Sequence, residues 1–129
     1  MKHPGVVCLL AGLGLSMVGC AHSTKYAVTE PAMGSRAATR FEVAMLEFHF
    51  QPESLDISTG DTLTWVNHGR VPHTTTSGVN GRPDGLWASK HLSRGASFSH
   101  VFTEPGTFRY YCTPHHALGM KGVIVVTSR

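Results

Sequence analysis

Tyr111 to Met120 read YCTPHHALGM, so one thiol, two adjacent histidines and a methionine fall within a single short run. Cys112, His115 and Met120 follow the spacing C-x₂-H-x₄-M. Thiolate and thioether are soft donors that suit Cu(I), and imidazole suits both oxidation states of copper. A fourth donor has to come from elsewhere in the chain. His73 is the natural candidate, because it opens an expected strand directly after the turn Asn67 to Pro72. Two imidazoles and a thiolate in one plane, with a long bond to a methionine, make the ligand field of a blue-copper site. Four protein donors leave no open position for a substrate, unlike a catalytic metal centre. The chemistry expected is therefore one-electron transfer and not catalysis.

The cysteines sharpen this reading. Lys2 and His3 form a short basic start, Val6 to Val18 is an apolar run of signal-peptide length, and Met17-Val18-Gly19-Cys20 closes it. Such a run is shorter than the roughly 20 apolar residues of a comfortable transmembrane helix. Small residues ending in Gly-Cys resemble a bacterial lipobox, with Met17 where Leu is commoner. The resemblance implies cleavage before Cys20 and lipid on its thiol. Cys8 then leaves with residues 1–19, Cys20 carries the lipid, and Cys112 remains the single cysteine of an exported body. It has no intramolecular partner for a disulfide.

The elements that must position these donors come from the rest of the chain. Its 129 residues are 41% hydrophobic and 15% charged, which suits one folded domain. The net charge is +3 and the Lys and Arg residues are scattered singly, so a nucleic-acid partner is excluded. Nine histidines is a high count for this length. Residues 20–40 are the lipidated cysteine and a stretch of small, polar, Gly and Pro residues, the composition of a flexible tether. Residues 41–129 form the copper-binding domain.

That domain reads as all-β, with strands expected near 41–49, 54–58, 61–67, 73–77, 97–102, 106–112 and 121–127. Leu63 and Trp65 alternate with threonines, and Phe98, His100 and Phe102 share one face. Turns fall at Ser58-Thr59-Gly60-Asp61 and Glu104-Pro105-Gly106. Residues 78–96 read as an irregular excursion. Strands in this number and spacing predict a two-sheet β-sandwich.

From Phe41 to Thr127 the chain resembles the cupredoxin family, and within it the plastocyanin and pseudoazurin-like members. The stretches that carry the likeness are FHFQPESLDISTGDTLTWVN, the VPH of Val71 to His73, FTEPGTFRYYC and CTPHHALGM. The resemblance implies a Greek-key two-sheet β-sandwich with one type 1 copper, held by His73, Cys112, His115 and Met120. It also implies a backbone N–H from the residue after the first ligand to the cysteine sulfur. Thr74 stands there in place of the common Asn, and His116 stands in place of Gln after the second histidine.

The other histidines have plainer readings. His49, His68 and His91 are solvated side chains, His22 lies in the tether, and His100 is a buried, hydrogen-bonded structural residue. His116 is a surface imidazole beside the site. Pro72, Pro114, Ala117, Leu118 and Gly119 surround the copper end with apolar surface, where the edge of His115 would meet a redox protein such as a cytochrome or a membrane oxidoreductase. The expectation is a monomeric blue-copper electron carrier, lipid-anchored in the bacterial cell envelope on its periplasmic or extracellular face. A copper-delivery or copper-buffering protein is the competing reading, and His116 as an exchangeable ligand is its motive.

Overall fold

A computed structural model of the chain describes residues 36–129. The apolar leader, Cys20 and most of the tether lie outside the described residues. Among the described residues nine strands run in chain order: β1 Arg40–Leu46, β2 His49–Gln51, β3 Ser54–Ser58, β4 Thr62–Asn67, β5 Thr76–Val79, β6 Arg82–Ala88, β7 Ser97–Val101, β8 Gly106–Tyr111 and β9 Lys121–Thr127. A 3₁₀ helix, Thr113–Leu118, joins β8 to β9.

The strands form two mixed sheets, one ordered β2-β1-β4-β7 and the other β3-β9-β8-β5-β6. Two parallel pairings link sequence-distant segments, β1 with β4 and β3 with β9, and the other pairings are antiparallel. The period-two reading places the core correctly: Leu63 and Trp65 are fully buried on β4, between Thr62, Thr64 and Val66, which are only partly covered. Trp65 stands at the centre, with Trp87, Tyr110 and Phe98 around it at ring-centroid distances of 5.6, 5.4 and 6.1 Å. Aromatic rings at such spacing contribute beyond their buried area.

Three expected elements differ. The strand expected over 41–49 breaks into β1 and β2 at Glu47-Phe48, where Phe48 takes φ 64° and turns the chain back on itself. The strand expected from His73 begins at Thr76. His73 instead makes a two-bond bridge with Leu92, through His73 N–H to Leu92 O at 3.1 Å and Leu92 N–H to His73 O at 2.8 Å. The irregular excursion 78–96 contains a full strand, β6, which turns out of β5 through Asn80-Gly81. Pro83, Asp84 and Gly85 disguise it, and an edge strand tolerates them because its outer N–H groups need no ladder partner.

The sandwich has two distinct poles. At one pole the backbone N–H groups of Thr39 and Ser58 each donate to the buried carboxylate of Asp61 at 2.8 Å, and Arg129 pairs with the same carboxylate. From there β1 runs along its parallel partner β4 to the other pole, where Phe48, His73 and the helix Thr113–Leu118 gather. Seven residues of strand separate the two ends by about 20 Å.

Candidate metal centre

Cys112 follows the last residue of β8 in extended conformation (φ −90°, ψ 119°) and caps the start of the 3₁₀ helix, which has Pro114 in its first turn. Proline suits that position, since the N–H it lacks would have no partner within the helix. Gly119 stops the helix in the left-handed region at φ 86°, and its N–H donates to His116 O at 3.0 Å. The loop then closes on itself: Cys112 N–H donates to Met120 O at 3.0 Å, and Met120 N–H to His115 O at 3.3 Å. These bonds bring both ends of the motif to one place. Met120 is fully buried in the same apolar cluster as Cys112.

His73 comes to this loop from the other side. Asn67, itself buried, donates its side-chain amide to Val71 O at 2.9 Å and to Leu92 O at 2.8 Å, and accepts from Gly69 N–H at 2.8 Å. Glu47 accepts from Arg70 N–H. Those bonds fasten the 67–73 turn to its surroundings, so that a fully buried His73 faces Cys112 across 39 residues of sequence.

His73, Cys112 and His115 converge as expected. Nδ1 of His73 lies 3.2 Å from Nδ1 of His115 and 3.8 Å from Cys112 Sγ, and His115 Nδ1 lies 3.4 Å from the sulfur. The point equidistant from these three atoms is about 2.0 Å from each, close to the bond length from an imidazole nitrogen to a late first-row metal ion. Burial lowers the His73 pKa and the neighbouring His115 lowers it further, which favours the neutral imidazole that a metal requires. The donor set and its spacing therefore fit copper.

The thiolate has a further shell of donors. Thr74 N–H lies 3.3 Å from Cys112 Sγ, the contact that the family resemblance implies. The Thr74 hydroxyl adds a second, at 3.9 Å from the sulfur, while accepting from Thr113 N–H at 2.7 Å. That side-chain role was not legible in the sequence.

The surface around His115 agrees with the expected apolar end. Pro72, Pro114, Ala117, Leu118 and Gly119 are exposed, Leu118 at 64%, and His115 is half-buried among them. Phe48 joins this patch unexpectedly, with its ring edge-on to His115 at 5.1 Å. Every other phenylalanine is buried or partly buried against the core. No sequence signal distinguishes Phe48 from them, because its exposure follows from the positive φ of the β1–β2 turn.

His116 turns away from the metal-binding atoms: its Nδ1 lies 2.8 Å from Thr113 O. His49, His68 and His91 are exposed as expected, and His68 pairs with Glu42 at 3.2 Å. His100 corrects its expectation. It is half-buried, lacks a hydrogen-bond partner among the described residues, and is held by rings instead, with Trp87 at 5.0 Å and Phe102 at 4.9 Å. Trp87 reaches it from the unexpected strand β6.

A plastocyanin from Scenedesmus fuscus is 39% identical over 83 residues, spanning 60% of this chain and 85% of its own. Amicyanin from Paracoccus denitrificans is 29% identical over 121 residues, spanning 92% of this chain and 89% of its own. Among solved structures, a purple cupredoxin from Nitrosopumilus maritimus superimposes with a TM-score of 0.61 at 33% identity, covering 67% of this chain and 98% of that one. The family described as copper binding proteins, plastocyanin/azurin family, matches residues 37–127. That span contains both sheets and every residue that converges on the centre, so the chain belongs to this family of cupredoxins, whose plastocyanin and amicyanin members carry electrons and are not enzymes.

Proposed function

We propose that this protein is a membrane-tethered blue-copper electron carrier in which His73, Cys112 and His115 are the strong ligands and Met120 the weak fourth. The observation that carries the reading is the triangle of Nδ1, Nδ1 and Sγ atoms, already sized for one metal ion. Copper supplies the one-electron couple; the chain supplies a clamp. His73 is fixed through the Leu92 bridge and Asn67, and the other donors through the closed loop from Cys112 to Met120. A site held from both sides changes little between oxidation states, which keeps electron transfer fast.

The half-buried His115 within an apolar rim offers a place for brief contact with a redox protein, such as a cytochrome or a membrane oxidoreductase. Brief redox encounters of this kind have small interfaces, and the carrier is proposed to act as a monomer. Lipid on Cys20 would hold it in the bacterial cell envelope, on the periplasmic or extracellular face. Thr39, just before β1, lies at the pole opposite the copper end, which supports a reading in which His115 stays free to meet partners. His116, the motive for a copper-delivery role, is engaged with Thr113 O instead.

The test is optical and electrochemical. Detergent-solubilised full chain loaded with Cu(II) should show intense thiolate-to-copper charge transfer that bleaches and returns on one-electron cycling, and Cys112→Ser should abolish it. A colourless protein with one tightly bound Cu(II), or one that loses its metal on reduction, would overturn the reading.

A further inference from the structure

The family reading accounts for His115 and leaves its neighbour without a task, yet the exposed His116 ring is held in place. Three contacts hold its ring. Nδ1 lies 2.8 Å from Thr113 O, which fixes the proton on that nitrogen because a carbonyl can only accept. The ring stands edge-on to Tyr111 at 5.7 Å. Its far edge rests on the β5–β6 hairpin, where a Cβ added at Gly81 would come within 2.9 Å of His116 Nε2. Gly81 has φ 75° and Asn80 φ 50°, so the tight turn itself requires a residue like glycine here, and its bare backbone leaves room for the imidazole.

We propose that His116 is a latch: its ring spans from the ligand loop to the tip of the β5–β6 hairpin and restrains the Thr113–Leu118 helix from lifting. The inference rests on the copper reading and extends it to how the metal is retained. Without the latch, the helix, which buries none of its own residues, is tied down at its start by Thr113, through its N–H to the Thr74 hydroxyl at 2.7 Å and its hydroxyl to Thr76 at 3.1 Å. Its backbone bonds and the Phe48 ring against His115 add to this, while among the described residues nothing but His116 ties it to the β5–β6 hairpin tip. With it, loop and hairpin move together, and His115, one residue away, keeps its orientation when copper changes charge. His116 is thus a positioning residue that acts through its neighbour, with no contact to metal.

The two attachments of the ring can be separated by substitution. Asn at position 116 places a donor near Nδ1 and so keeps the Thr113 carbonyl bond, but is too short to reach Gly81. Phe keeps the ring against Gly81 and Tyr111 and loses the bond. The full-length copper protein, reduced to Cu(I), is challenged with excess bathocuproine disulfonate and the rate of metal loss is followed. In parallel, amide hydrogen exchange is measured on the metal-free protein over Val79–Arg82 and Ala117–Met120.

Metal loss from His116→Ala and His116→Asn is expected to quicken about fivefold, the scale of one aromatic contact, with faster exchange in both segments. His116→Phe is expected to restore most of the parent's behaviour. Rates within twofold of the parent for His116→Ala would overturn the proposal, and so would rescue by Asn with failure of Phe, which would confine the effect to the Thr113 bond. A parent protein without charge-transfer colour would overturn the copper reading instead, while the exchange measurement would still judge the latch.

Discussion

The hydroxyl of Thr74 accepts a hydrogen bond from the Thr113 amide at 2.7 Å and stands 3.9 Å from the sulfur of Cys112, so one oxygen ties both ligand segments together beside the thiolate. The Thr113 N–H uses one of the oxygen's two lone pairs and leaves the hydroxyl proton free to point at sulfur. A donor there withdraws electron density from the thiolate and disfavours Cu(II), the oxidation state that depends on it more. Thr74→Val should lower the reduction potential. A long, weak bond of about 0.5 kcal/mol corresponds to roughly 20 mV for one electron. Voltammetry on the copper protein measures it, and an unchanged or raised potential with the spectrum intact would rule the hydroxyl out as a donor.

Pro114 argues in the opposite direction. The amides on either side of it are engaged, Thr113 N–H with the Thr74 hydroxyl and His115 N–H with Cys112 O, while Pro114 has no proton to give. Pro114→Ala supplies a new donor next to the thiolate and should raise the potential. If that bond is worth roughly 1.5 kcal/mol and is partly offset by loop relaxation, the rise is some tens of millivolts. A fall, or no change, would assign the proline to stiffening alone.

Asp61 predicts how the fold responds to acid. Burial opposes its charge, but the amides of Thr39 and Ser58 and the guanidinium groups of Arg129 and Arg36 outweigh burial and hold its pKa below the ordinary 3.8. A carboxyl whose pKa is depressed by folding contributes stability that is fully present above about pH 4 and is lost as pH falls through the folded value. Asp61→Asn should cost about 2 kcal/mol at neutral pH, the scale of a charged hydrogen bond. The variant should also show a shallower loss of stability below pH 4. Denaturant titrations of both proteins at several pH values test this, and parallel acid profiles would show that Asp61 is not the group involved.

Cys20→Ala tests the anchor. The variant should leave the membrane fraction of a bacterial host and retain its copper absorption. Continued retention in the membrane would mean that the apolar leader remains attached and acts as the anchor itself.

Legibility in the sequence followed the range over which each constraint acts. Cys112, His115 and Met120 were readable because one short loop carries them and its spacing is itself the geometry. Leu63 and Trp65 were readable because period-two burial is local to a strand. His73 was readable as a donor, although its bridge to Leu92 was not, since that pairing depends on a segment whose composition looks like coil. Strand β6 was hidden for the same reason: Pro83 and Gly85 weigh against a strand locally, and only the open edge of the sheet makes them acceptable. His100 showed the right parity and the wrong company, because the Trp87 ring that covers it belongs to that hidden strand. His116 was readable as a surface imidazole beside the site, but its bond to Thr113 O was not, because that depends on how the 3₁₀ helix winds.

Asp61 gathers Thr39 and Arg129 at one pole, while the ligand loop occupies the other. Arg36 and Arg129, the first and last described residues, therefore both lie at the end of the body opposite His115. Coupled to a gold surface through a linker at either position, the protein would hang with His115 toward the electrolyte, and its current would depend on the length and slack of the linker. Two such bodies joined in series would each keep their copper loop clear of the junction, so that the series behaves as two independent terminals and not as a wire.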